Sequence, residues 1–91
     1  MYEGFIMRRS RMDIIIEVLD VAKGGINKTS VVYRTNLNFK LADRYLELLQ
    51  KHGLIENRSD KYTTTDKGKI FLEKAKEITL PLEDQSQTQL F

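Results

Sequence analysis

Lys40, Arg44 and Lys51 recur at spacings that a helix of 3.6 residues per turn gathers onto one face. Cations held that way can grip phosphate oxygens, and an arginine can take two acceptors of one base edge at once. Upstream, Thr29 and Ser30 stand where a helix start would offer hydroxyl and amide donors to a phosphate, with Tyr33 and Arg34 one turn further on. Arg8, Arg9 and Arg11 make a basic arm near the amino terminus, and Arg58 and Lys61 bracket the turn-forming pair Ser59-Asp60. Each group also has a plainer reading. Charges on an amphipathic helix are commonly a solvated face, Thr29 and Ser30 suit a helix cap, and Glu56 and Asp60 offset the two cations of the turn.

Other chemistries are poorly served. With no cysteine, the chain has no disulfide, thiolate zinc site or cysteine nucleophile. A single histidine, His52, excludes a histidine-based metal centre or catalytic dyad within one chain. Its place on the apolar side of a helix, just before Gly53, suits a partly buried residue. Asp43 and Glu47 lie one turn apart, as a general acid and base would, but Lys40 and Arg44 beside them make surface charge the better reading. Gly24-Gly25 lacks the spacing of a phosphate-binding loop. Tyr45 and Tyr62 read as core residues rather than stacking platforms. No enzyme, cofactor or metal is expected.

At 91 residues the chain has room for one domain. Its apolar share of 41% and charged share of 31% allow only a small core, so a partner subunit is expected. The net charge of +2 does not announce a polyanion binder by itself. The distribution says more: positive charge concentrates in residues 1–11 and 27–51, whereas residues 12–26 and 81–91 are net acidic. The longest apolar run, Ile14-Ile15-Ile16, is far too short to cross a membrane. Phe5-Ile6-Met7 precedes Arg8-Arg9, the reverse of a secretory leader's order. These features predict a soluble cytoplasmic protein.

The elements that must position these groups follow from periodicity and punctuation. Ser10-Arg11-Met12-Asp13 has the form of a capping box and opens a helix to about Lys23, stopped by Gly24-Gly25. Its apolar residues cover more than half the circumference, which predicts a central helix with Asp13, Glu17 and Asp20 left on a narrow solvent face. Asn27 opens a short helix through about Arg34. After the turn Thr35-Asn36-Leu37-Asn38, Asn38 caps a longer helix from Phe39 to His52, amphipathic and basic outside. Leu54–Asn57 and Tyr62–Thr65 read as strands around a turn at Arg58–Lys61. Thr65 can cap a last helix from Asp66, which Pro81 should end or kink after about fifteen residues, roughly 22 Å. Residues 81–91 are expected to form a flexible tail. Phe71, Ala75, Ile78 and Leu82, with Gly68 before them, follow three- and four-residue spacings along one seam, as a helix pairing with a second copy requires.

The order helix, helix-turn-helix, β-hairpin, helix is that of a winged helix, an α+β fold that is mainly α. In Arg11-Met12-Asp13-Ile14-Ile15, in Thr35-Asn36-Leu37-Asn38 leading into Arg44-Tyr45-Leu46-Glu47-Leu48-Leu49, in Gly53-Leu54-Ile55, and in Tyr62-Thr63-Thr64-Thr65-Asp66-Lys67-Gly68 with Phe71-Leu72, the chain resembles the small archaeal winged-helix DNA-binding proteins. The resemblance covers roughly residues 8–80. It implies a homodimer on double-stranded DNA, as a transcriptional regulator or chromatin component, nucleoid-associated in that case. In the small chromatin-type members the last helix pairs as an antiparallel coiled coil, which a helix cut at Pro81 would alter. Base-reading residues come from the start of the second motif helix, so Asn38, Lys40, Asp43 and Arg44 rank above Lys51. The domains expected are a basic arm at 1–9, the winged helix-turn-helix with a dimerisation helix at 10–80, and the tail at 81–91. The competing reading is a protein-docking module that binds no DNA, because fold alone does not settle function. RNA binding is a third, without an interleaved aromatic platform to support it.

Overall fold

The computed structural model describes residues 9–89, with side chains described from 9 to 78. Helix α1 spans Arg11–Val21, α2 Lys28–Thr35 and α3 Phe39–Lys51. Strands β1 (Ile55–Arg58) and β2 (Lys61–Thr64) follow, then helix α4 (Asp66–Gln89).

Local chemistry starts each helix where the residues predict. At α1 the capping box is complete: Ser10 Oγ accepts from Asp13 N at 3.0 Å, and Ser10 N donates to Asp13 Oδ2 at 3.1 Å. Asn27 Oδ1 accepts from Ser30 N at 2.8 Å and Asn38 Oδ1 from Leu41 N at 2.7 Å, so α2 and α3 each open on an asparagine cap. At α4 the Thr65 hydroxyl accepts from Gly68 N at 3.0 Å and donates to Gly53 O at 2.7 Å, which pins the helix start to the end of α3. Such caps are each worth about 1 kcal/mol. Helix α1 ends slightly before Lys23, and of the glycine pair it is Gly25 that takes the left-handed backbone, at φ 86°.

The core gathers around α1. Ile14, Val18, Leu19 and Ala22 are buried, and α1 packs against α2, α3 and α4, as its wide apolar arc demands. Leu46 and Leu49 of α3 and Leu72 of α4 are also fully enclosed, as is Val31 of α2; truncating any one of the three leucines to alanine would cost roughly 2–5 kcal/mol.

The strands form an antiparallel hairpin in the register Ile55↔Thr64 to Arg58↔Lys61. Ser59 and Asp60 both take positive φ, 50° and 64°, the backbone of a tight two-residue hairpin turn. The sheet has a third rung that the sequence pattern did not reveal. Ile26 N donates to Tyr62 O at 3.0 Å and Tyr62 N to Ile26 O at 2.7 Å, while Thr64 N reaches Ala22 O at 2.9 Å. The buried Thr64 hydroxyl donates to Leu19 O at 2.6 Å. The hairpin is thereby stitched to the end of α1.

Two expectations for α4 are corrected. The helix does not stop at Pro81: it continues to Gln89, 24 residues or about 36 Å, so residues 81–89 are helical rather than a loose tail. Proline removes one backbone donor and crowds the carbonyl four residues back, so the helix continues past it at a local cost that the helix formers Leu, Glu and Gln beyond it partly offset. Gly68 does not belong to an outward seam. A Cβ there would lie 2.1 Å from Leu54 O and 2.7 Å from Thr64 Cγ2, so the glycine lets α4 press against the base of the hairpin.

Candidate nucleic-acid interface

The turn between α2 and α3 is tightly built. Thr35 is buried, with its hydroxyl donating to Val31 O at 2.6 Å; Asn36 adopts left-handed backbone at φ 60°; Leu37 plugs the turn from inside. This fixes the direction in which α3 leaves. Ala42, Leu46 and Leu49 of α3 face inward, so Lys40, Arg44, Glu47 and Lys51 are left exposed together. Among the described residues, Lys40, Arg44 and Lys51 form no ion pair and no side-chain hydrogen bond. Asn38 spends its side-chain oxygen on the cap. Asn38, Lys40, Leu41 and Arg44 border a small surface hollow of about 270 Å³ at the start of the helix.

Asp43 is oriented differently. It is half-buried and pairs with Lys28, the first residue of α2. The Asp43 carboxylate beside Lys28 holds that ammonium above the usual lysine range. The pair ties α2 to α3 and takes one cation and one anion out of the exposed set. On α2, Thr29, Tyr33 and Arg34 are exposed, Tyr33 to 76%, whereas Ser30 is half-buried and gives its amide to the Asn27 cap.

At the hairpin tip, Arg58 is free in solvent apart from a loose pair with Glu56 at 3.7 Å, and Lys61 is exposed. Arg9 is not an extended arm. Its guanidinium pairs with Glu17 of α1 and donates to Thr35 O at 2.8 Å, which clamps the chain preceding α1 against the end of α2. Nothing local in the sequence signals that clamp, because its partners lie 8 and 26 residues away. Arg8 falls outside the described residues.

The expected dimer seam divides. Ala75 is buried, Phe71 is half-buried against the monomer's own core, and Ile78 is 67% exposed. Burial along the described part of the seam therefore falls from Ala75 to Ile78. The side chain of Leu82 falls outside the described ones.

No group of three or more histidine, aspartate or glutamate residues that could hold a metal occurs among the described residues. No helix among them is long and apolar enough to cross a membrane.

A helix-turn-helix followed by a hairpin whose sheet takes a third rung from the loop after the first helix defines a winged helix. Residues 8–82 match the family described as winged helix-turn-helix, and the chain belongs to that family. Two uncharacterized proteins of the archaeon Methanocaldococcus jannaschii are 33% identical over 73 residues and 32% identical over 63 residues, covering 79% and 68% of this chain. The matched regions make up 35% and 65% of those proteins, so the chain spans only part of their length. Among solved structures, Sso10a-2, a DNA-binding protein from Sulfolobus solfataricus, superposes with a TM-score of 0.77 at 27% identity, covering 89% of this chain and 90% of that one.

Proposed function

We propose that this protein binds double-stranded DNA as a homodimer, with α3 in the major groove, and acts as a non-enzymatic transcriptional regulator or chromatin-associated protein in the cytoplasm. The observation that carries the reading is the exposed trio Lys40, Arg44 and Lys51 on the second helix of a helix-turn-helix, uncompensated by any described ion pair. Arg34 on α2 and Arg58 and Lys61 at the hairpin tip flank that face and suit phosphate contacts on either side. Thr29 and Tyr33 add polar contacts on the α2 side. The likeness to Sso10a-2, itself a DNA-binding protein, supports the same reading. Ile78, exposed on α4, is the residue to which we assign the contact between subunits.

A docking module remains the second reading, favoured by the exposed aromatic groups Tyr33 and Phe39 beside the same face. Salt separates the two. Phosphate binding releases counterions and weakens steeply as salt rises, whereas an apolar contact hardly changes. Fluorescence anisotropy on a random duplex at low and moderate salt should show the steep loss. The Lys40→Ala and Arg44→Ala variants should remain folded, each losing about 1–3 kcal/mol of binding if its side chain contacts a base edge. Unchanged affinity in the double variant would remove α3 from the interface.

A further inference from the structure

Arg44 faces two ways. Besides the exposed face of α3, it borders a cleft of about 460 Å³ between α1 and α3, whose other lining residues are Arg11, Ile15, Leu41, Tyr45 and Leu48. Ile15 and Leu48 also line a second lobe of about 380 Å³, together with Leu49, His52, Leu54, Lys67 and Phe71. The two lobes adjoin through Ile15 and Leu48, with an apolar floor between Arg11 and Arg44 at one end and Lys67 and His52 at the other. Leu48 is 40% exposed, although it sits on the apolar flank of its helix. Among the described residues neither Arg11 nor Arg44 has an acidic partner.

Volumes of this order are those of small-molecule sites, where an apolar wall supplies affinity and a few polar groups fix orientation. Two guanidinium groups beside an aliphatic floor select by charge and shape together. A neutral apolar molecule leaves the arginines without an acceptor, and a bare phosphate leaves the floor wet. A carboxylate on an extended apolar body satisfies both, with its oxygens taken by the guanidinium donors. We propose that this cleft binds a medium-length amphipathic carboxylate, and that, because Arg44 is shared, its occupancy loosens the protein from duplex DNA. The competition rests on the DNA-binding reading above; the binding does not. Linkage makes the effect reciprocal, so bound duplex weakens the carboxylate by the same factor.

Decanoate is a suitable probe, with decanamide as its uncharged counterpart of equal length. In the full chain with labelled methyl groups, decanoate should shift the Ile15, Leu41 and Leu48 signals saturably, and decanamide should not. Arg11→Gln should abolish the saturation. Leu48→Gln replaces a half-exposed floor residue, so it should keep the fold and the wild-type affinity for duplex while losing the response to decanoate. In the wild type, saturating decanoate should lower duplex affinity about tenfold. An equal response to decanamide, no saturation, or methyl shifts that follow protein concentration alone would overturn the site, the last by assigning the cleft to a second copy. Saturation by decanoate with undiminished duplex affinity would overturn the coupling. Saturation in a protein that retains no duplex at any salt would uphold the site and overturn the reading of the previous section.

Discussion

Single residues here act by what they prevent as much as by what they contact. Gly68 is the sharpest case, because a methyl group at that position would collide with the Leu54 carbonyl, which is backbone and cannot turn aside. Gly68→Ala, a helix-favouring substitution by propensity, should therefore destabilise by about 3 kcal/mol through overpacking. Thermal unfolding would report that as a fall in Tm of roughly 15 °C; an unchanged Tm would show that α4 can lift off the hairpin without cost. Asp43 and Arg9 teach a related lesson. Both carry charge in a region whose charge matters, and both are withdrawn from the surface set by partners on another element, Lys28 for the first and Glu17 with the Thr35 carbonyl for the second. Composition records their charge, and only the fold decides whether that charge is available.

Elements were legible in the sequence wherever their signals are local. Ser10 with Asp13, Asn27, Asn38 and Thr65 start their helices by bonds to residues three positions on, so spacing alone reveals them. The exposed face of α3, with Lys40 and Arg44, was readable for the same reason. What escaped depends on pairing across the chain. The Ile26 rung is one residue long and carries no alternation, and the α1–α3 cleft exists only because two helices cross. The crossing of α1 and α4 is likewise set by distant partners, and its polar edge can be tested. Asp20 lies 3.3 Å from Lys76 of α4 and 3.4 Å from Lys23. Burial pushes its pKa up, but the two ammonium groups outweigh it and leave the carboxyl below its usual value. A depressed carboxylate stabilises the fold above the unfolded-state value of 3.8, and the contribution fades as pH falls through the lower folded value. Because Asp20 is 48% exposed, screening limits the effect to under about 1 kcal/mol. Asp20→Asn should lower Tm slightly near neutral pH, and the gap should close as pH falls through the lowered folded-state value of the carboxyl. A gap that persists in acid would mean the carboxylate charge is not what joins the helices.

At the scale of the molecule the outline is long, 49 × 32 × 19 Å, and helix α4 at about 36 Å accounts for much of the length. Ile78 lies three residues past the buried Ala75 on this helix and is 67% exposed, a large apolar side chain that the described residues leave uncovered. Sedimentation at micromolar concentration should give twice the 10.6 kDa chain mass, and Ile78→Glu should give a folded single chain with weakened duplex affinity. A wild type that sediments as one chain throughout would leave Ile78 exposed for some other reason. The hairpin has a mechanical consequence of its own. Through Ile26 and Tyr62, and through Thr64 to the carbonyls of Leu19 and Ala22, it is bolted to the last turn of the central helix. Its two four-residue strands are joined by the tight turn at Ser59-Asp60. The hairpin is therefore the short arm of a lever rather than a flap: a load applied at Arg58 or Lys61 passes beyond the tip as torque on α1, the axle against which the other three helices are packed.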